Sequence, residues 1–294
     1  MEAVKERPAR KVKQSYYSDV AKRFKRHKLA MIGTVVLLLT TIMVILLPMI
    51  LPLDPYATML GTPYQTPNAQ YPLGLDSVGR DNLARLVYGG RVSLLVGLLS
   101  TCISAIIGLP LGICAGYFRG WFEALVMRLV DIFMSFPSMI LIMVLVSIVG
   151  PSMWTVTIVI GILGWPQFAR VIYGNVLSVR SKEYIENAKA AGAKHWRILR
   201  DYILPNSIAP ILITATFRTA GAILQEASLS FLGMGVQLPM ASWGNIVYGA
   251  QSIIILSQRA WFWLPPSILL VLAVLSINFI GDGLRDALDP KMKV

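Results

Sequence analysis

Few side chains in this 294-residue sequence are of a type and spacing that could do chemistry. The two histidines, His27 and His195, sit far apart in basic, water-facing segments, and no metal site is expected on them. Cys102 and Cys114 share one apolar run, where twelve residues of helix separate them by roughly 18 Å. A disulfide needs Cα atoms within about 7 Å, and neither cysteine has the His or Cys neighbours of a zinc site. A phosphate-cradling Gly-x-x-x-x-Gly-Lys-Ser/Thr loop is missing, as are His-Glu-x-x-His and Gly-x-Ser-x-Gly. The chain is therefore expected to carry no catalytic residue, no metal and no cofactor. What remains is Asp131, Arg218 and Glu226, three ionisable residues inside apolar runs. Charge in such a place must face a bundle interior or a wet cavity. Eight residues separate Arg218 from Glu226, too far for a one-turn helical pair, so a path lining and a structural contact between helices both stay open.

The elements that hold these residues are membrane helices. A chain that is 55% hydrophobic and 14% charged, with mean hydropathy +0.64, has too few polar side chains to coat a soluble globule. Each crossing needs about 20 mostly apolar helical residues. Six stretches qualify: residues 29–51, 92–116, 124–149, 152–172, 208–232 and 263–280. The first has 28 residues before it and no small-residue cleavage site after it, and reads as an uncleaved helix. Gly281-Asp282-Gly283 is expected to break the last, and Pro110, Pro137 and Pro166 to interrupt the second, third and fourth. Gly108, Gly112 and Gly116, spaced four apart, favour close helix contact.

The net charge of +12 is a membrane-orientation signal and not a nucleic-acid one, because the basic residues fall in blocks beside the apolar runs. Residues 1–28 hold ten Lys and Arg against three acids, and residues 173–206 hold six against three. The loop 52–91 is balanced at three and three, and 234–262 has only Arg259. Both termini are thus expected in the cytoplasm. The organisation is a basic segment 1–28, a first helix 29–51, an outer loop 52–91, a five-helix core 92–282 containing the cytoplasmic loop 173–206, and a tail 283–294. The outer loops, above all residues 52–88 and 234–262, are the expected place to meet a partner, while Trp243, Trp261 and Trp263 read as anchors at the membrane interface.

The stretch from Tyr184 to Asn206 is too polar to cross, yet Tyr184, Ile185, Ala188, Ala191, Ile198 and Leu199 alternate with charged residues at helical spacing. By physics alone it could lie on the anionic inner leaflet. Its residues also resemble a known segment. Glu186-Asn187-Ala188-Lys189-Ala190-Ala191-Gly192, followed by Ile203-Leu204-Pro205-Asn206, is similar to the EAA loop of ABC-importer permease subunits, with Asn187 and Tyr202 as departures. Phe24 to Ala30, Pro72 to Asp76 with Gly79-Arg80-Asp81, Glu226 to Gly233, and Gly281 to Pro290 resemble the peptide/nickel branch of that family, and within it the C-type subunit of dipeptide and oligopeptide importers.

The resemblance implies an all-α, importer-type permease fold with about six transmembrane helices and a cytoplasmic coupling helix over Glu186 to Ile198. It implies ATPase coupling through Tyr184, Glu186, Ala188, Gly192, Ala193, Trp196, Leu204 and Pro205. It also implies a second homologous permease, two cytoplasmic ATPase subunits that bind ATP and Mg, and an extracytoplasmic substrate-binding protein at a bacterial or archaeal inner membrane. The expected cargo is di- or oligopeptides. Nickel chelates or sugars are alternatives within the family, and an ion-coupled secondary carrier is the rival outside it.

Overall fold

A computed structural model describes residues 16–288 of the chain. The basic residues before Tyr16 and the Asp289-Pro290 end of the tail motif lie outside the described residues. Twelve α-helices follow in order: α1 (Tyr16–Arg26), α2 (Lys28–Ile50), α3 (Asn82–Phe118), α4 (Gly120–Ser135), α5 (Ser138–Val149), α6 (Met153–Arg180), α7 (Glu183–Ala190), α8 (His195–Ile198), α9 (Leu204–Phe231), α10 (Trp243–Tyr248), α11 (Ile253–Gln258) and α12 (Ala260–Leu288). A π-helical turn, Leu199–Ile203, joins α8 to α9 without a break. Five segments are long and apolar enough to cross a membrane, and α4 and α5, bent by 87° at their junction, pass the same test when taken together.

Three boundaries differ from the sequence expectation, each for a physical reason. Helix α3 starts at Asn82 and not at Val92, because Asp81 caps it by accepting the Leu83 N–H at 2.9 Å. Asn82, Arg85 and Gly89-Gly90-Arg91 interrupt the apolar run there and hid that start. Gly281-Asp282-Gly283 does not end α12, which runs on to Leu288. These glycines serve close approach: a methyl at Gly283 would lie 2.3 Å from the Ala30 Cβ of α2, and one at Gly281 would lie 2.5 Å from Thr216 Oγ1 of α9. Finally, Pro110 and Pro166 sit inside unbroken helices, and only Pro137 coincides with a break, an 87° bend. Phe136 before it is extended, as a residue preceding proline tends to be.

The core is a seam between α3 and α6. Gly108, Gly112 and Gly116 bring the backbones together: a methyl at Gly112 would stand 2.6 Å from the Ala169 carbonyl oxygen, and one at Gly108 would stand 2.6 Å from the Trp165 carbonyl oxygen. From the α6 side, Gly161 leaves room for Ile103. Ser100 and Ser104 then donate across the seam to the carbonyls of Thr157 at 3.0 Å and Gly161 at 2.7 Å. Where lipid offers no hydrophobic drive, this combination of small residues and hydroxyl bonds is what holds helices together. Helices α9, α2 and α12 pack around the seam, with α9 against both α3 and α6.

Two polar devices secure the side opposite α7. Pro48 inside α2 leaves the Val44 carbonyl without its helical N–H, and Arg91 of α3 supplies donors instead, from Nε to Val44 at 2.5 Å and from Nη2 to Ile45 at 2.7 Å. Glu226, fully enclosed, accepts from Ser93 of α3 at 2.9 Å and from Ser230 at 2.7 Å. Those serines reach further: the Trp243 N–H donates to Ser93 and the Val236 N–H to Ser230. The carboxyl thus fastens α3, α9, α10 and the segment 232–242 into one unit.

Two outcomes follow. Gly112→Ala should lower thermal stability of the detergent-purified protein by about 1–3 kcal/mol, since the colliding atom is backbone. Gly221→Ala, which meets nothing within 4 Å, should leave it unchanged or raise it by up to about 1 kcal/mol. Glu226→Ala strips two buried hydroxyls of their acceptor and opens a void, a loss of about 2–5 kcal/mol. Limited proteolysis should then cut within residues 232–242 of the variant much faster than in wild type, with Glu226→Gln in between.

Candidate functional site

Two regions of this bundle combine polar residues with an adjoining cavity and are taken as candidates: an elbow between α6 and α9, and the bend between α4 and α5. Over Glu186 to Ile198, where the coupling helix is expected, the elbow is divided at Gly192, which also divides the helical pattern of the sequence. It is α7 and the one-turn α8, set at a corner. The corner is a glycine helix end: the Gly192 N–H donates to the Lys189 carbonyl at 2.9 Å, and the Ala193 N–H to the Ala188 carbonyl at 3.0 Å. Gly192 stands at φ +76°, a left-handed conformation that side chains disfavour, with open space around its Cα.

The back of the elbow is fixed by burial. Ile185, Ile198 and Ile203 are fully buried in one cluster with Tyr117 of α3 and with Ile172, Val176 and Val179 of α6. Each isoleucine buried this way contributes about 1.5–3 kcal/mol. Polar contacts add direction. The Tyr117 hydroxyl lies 2.9 Å from His195 Nδ1, and Lys189 Nζ sits 5.7 Å from the Tyr117 ring centre. Tyr184 stacks on Tyr202, with ring centres 6.1 Å apart and planes 23° from parallel.

The front is bare. Trp196 is 72% exposed, and Tyr184, Glu186, Gly192, Leu204 and Pro205 are exposed as well, while Ala188 and Ala193 are half-buried at the corner. Beside Glu186 and Lys189 opens a cavity of about 610 Å³ that also takes in Arg119, Ser178 and Arg180. A Trp at such exposure, on a segment with an anchored back, is a surface suited to a protein partner.

The three intramembrane ionisable residues are not brought together. Asp131 is exposed on α4 and pairs with Arg170 of α6. Glu226 is enclosed in the serine network described above. Arg218 is midway along α9 and only 9% exposed, and it donates to the Ile160 carbonyl at 2.9 Å and, at 3.4 Å, to Gln225 Oε1. Its Nε has no acceptor, and none of the ion pairs among the described residues includes it. The guanidinium lies over Gly164, where a methyl would come 2.4 Å from its Nη2. It lines a cavity of about 360 Å³ with Gln167, Gln225, Phe133, Phe136 and Ser138.

Sequence reasoning overlooked Gln225 and Gln167 here. Gln225 lies two helical turns after Arg218 on the same face, a spacing that marked it as its companion. It also overlooked Ile185, Ile198 and Ile203 as anchors, because their partners on α3 and α6 are distant in the chain.

Comparison with known proteins accords with this architecture. Residues 108–294 match the family model of the binding-protein-dependent transport system inner membrane component, and residues 15–69 match the N-terminal transmembrane domain of oligopeptide transport permease C. The dipeptide transport system permease protein of Alkalihalophilus pseudofirmus is 40% identical over 279 residues, which cover 95% of this chain and 91% of that protein. A protein of Brucella ovis named as a peptide permease is 42% identical over 274 residues, covering 93% of this chain and 91% of its own. In fold, the chain is similar to an inward-facing structure of the MetNI methionine ABC transporter, with TM-score 0.59 and 24% identity over 70% of this chain and 97% of that one. With a match over residues 108–294 and five or six candidate membrane spans among the described residues, this chain belongs to the inner membrane components of binding-protein-dependent transport systems.

Proposed function

We propose that this chain is one permease half of an ATP-driven importer of dipeptides or oligopeptides, in a bacterial or archaeal inner membrane with both termini in the cytoplasm. The observation that carries this reading is the elbow, whose back is buried in the ends of α3, α6 and α9 and whose front is bare. A push on Tyr184, Glu186 or Trp196 reaches three helices at once. Ala188, Gly192 and Ala193 hold the corner angle, and Leu204 and Pro205 pass the motion into α9. The hand that pushes is a pair of cytoplasmic ATPase subunits that hold ATP and Mg. A second homologous permease supplies the other half of the path, and rocking one half against the other gives alternating access.

Basic blocks at 16–28 and 173–206 support this orientation, since positively charged segments stay inside. An extracytoplasmic binding protein then meets the opposite end, the segments 51–81 and 232–259. There the motif around Asp76 is ordered by ion pairs: Arg80 Nε lies 2.6 Å and Arg85 Nε 3.6 Å from Asp76 Oδ2. The peptide cargo follows from the kinship with proteins named as dipeptide and peptide permeases. Of the three ionisable residues, we assign Arg218 to the path, Glu226 to structural fastening, and Asp131 with Arg170 to the rim.

The experiment is ATP-dependent peptide uptake by proteoliposomes holding this chain with its second permease, two ATPases and loaded binding protein. Gly192→Pro removes the N–H that closes the corner and forbids its positive φ. Uptake should fall at least about tenfold while ATP hydrolysis and assembly persist, and Gly192→Ala should fall in between. Uptake equal to wild type in Gly192→Pro would remove the coupling role.

A further inference from the structure

The cavity at the α4–α5 bend is bordered by a cation that no carboxylate among the described residues neutralises. Arg218 is about nine-tenths buried, its Nε packs over Gly164 without an acceptor, and among the described residues no carboxylate pairs with the guanidinium or lines the cavity it borders. The one nearby acid on α4, Asp131, is engaged by Arg170. A guanidinium buried to this degree without a counter-charge is costly, and an anion in the cavity would offset that cost.

A second feature of independent origin points the same way. The bend at Pro137 starts a new helix at Ser138, so the twelve-residue α5 begins at the cavity wall. No side chain caps that start. The first-turn amides at Ser138 and Met139 have no carbonyl four residues back to bond, and the helix end carries partial positive charge. Helix starts of this kind hold anions. Two amides, Gln225 and Gln167, complete a lining that can donate further bonds. Gly164 keeps the guanidinium in place, for any side chain there would collide with it.

We propose that this cavity is a carboxylate-binding subsite within the translocation path, and that its occupant is the free C-terminal carboxylate of a peptide in transit. Arg218 and the open start of α5 recognise the charge, while Phe133 and Phe136 cover the adjoining apolar part. This rests on the peptide-importer reading given above. A carboxylate matches the planar fork of a guanidinium, and a peptide with a free terminus carries one. Held between a fixed cation and apolar walls, the cargo is bound firmly enough to enter and is released when the halves move apart.

The test uses the assembled transporter in proteoliposomes, with Cys102→Ser and Cys114→Ser as background and Ser138→Cys as reporter. With each rate taken relative to that of the same reagent with a small free thiol, the anionic sulfonatoethyl methanethiosulfonate should modify Ser138→Cys about tenfold faster than the cationic trimethylammonioethyl reagent. Adding Gln225→Glu places a carboxylate beside Arg218 without baring a buried charge, so folding is preserved and the ratio should fall to about one. In parallel, uptake of a peptide with a free C-terminus should exceed that of its C-terminal amide, each normalised to the amount held by the binding protein, and Gln225→Glu should abolish the preference. Equal reaction of the two reagents overturns the anion site. A charge preference in labelling without any change in the uptake ratio overturns the cargo assignment and leaves a lipid phosphate or an inorganic anion as occupant. If wild type moves neither peptide form while the labelling ratio holds, the importer reading has failed and the anion site has not.

Discussion

Close backbone approach between α3 and α6 is the constraint on which everything else in this chain depends. Their glycines remove the side chains that would keep the two helices apart, and two serine hydroxyls bind across the gap. Three sites hang on that seam. At one end Tyr117 and Val176 bury the isoleucines of the elbow. Midway, Gly164 makes room for Arg218. At the far end α3 presents Ser93 to Glu226. Spreading the seam by even one methyl would disturb all three, because interiors at this packing density cannot absorb a displaced backbone locally.

The bundle places rigidity and interruption in different parts. Helices α3 and α6 run unbroken through Pro110 and Pro166, while α4 and α5 meet at 87° and the elbow turns on Gly192. Interrupted backbone at membrane depth is tolerated only where protein or a wet cavity lies against it. The α4–α5 break satisfies this by abutting the polar cavity of Arg218. Pro48 shows the alternative solution, a freed carbonyl taken up directly by Arg91. A charged side chain serves opposite ends in these two places. Arg91 repairs a helix and is thereby satisfied, whereas Arg218 is left with a donor to spare.

Much of this was legible in the sequence. Apolar length alone gives the crossings, since a helix must span the hydrocarbon whatever it packs against, and the four-residue glycine spacing at 108, 112 and 116 gives the α3 face of the seam. The segment that forms the elbow was visible through its likeness to a known loop, and the structure folds it as two helices joined by the turn at Gly192. What could not be read was long-range. Nothing near Pro48 points to Arg91, and nothing near Glu226 points to Ser93, because these partners meet only after the helices pack. The glycines at 281 and 283 misled for a related reason: as residues they favour a break, and only the presence of Ala30 and Thr216 turns them into contact points. The start of α3 was missed because Asn82, Arg85 and Gly89-Gly90-Arg91 interrupt the apolar run there, so the segment looks like loop until the Asp81 cap is seen to bond.

The account stands on the elbow being gripped from outside by a nucleotide-hydrolysing neighbour. A photoreactive amino acid in place of Trp196, in membranes containing the whole transporter, tests this directly. The account predicts a covalent product of this chain with an ATPase subunit, with a yield that changes between ATP-bound and nucleotide-free states. Adducts with lipid alone, in either state, would contradict it.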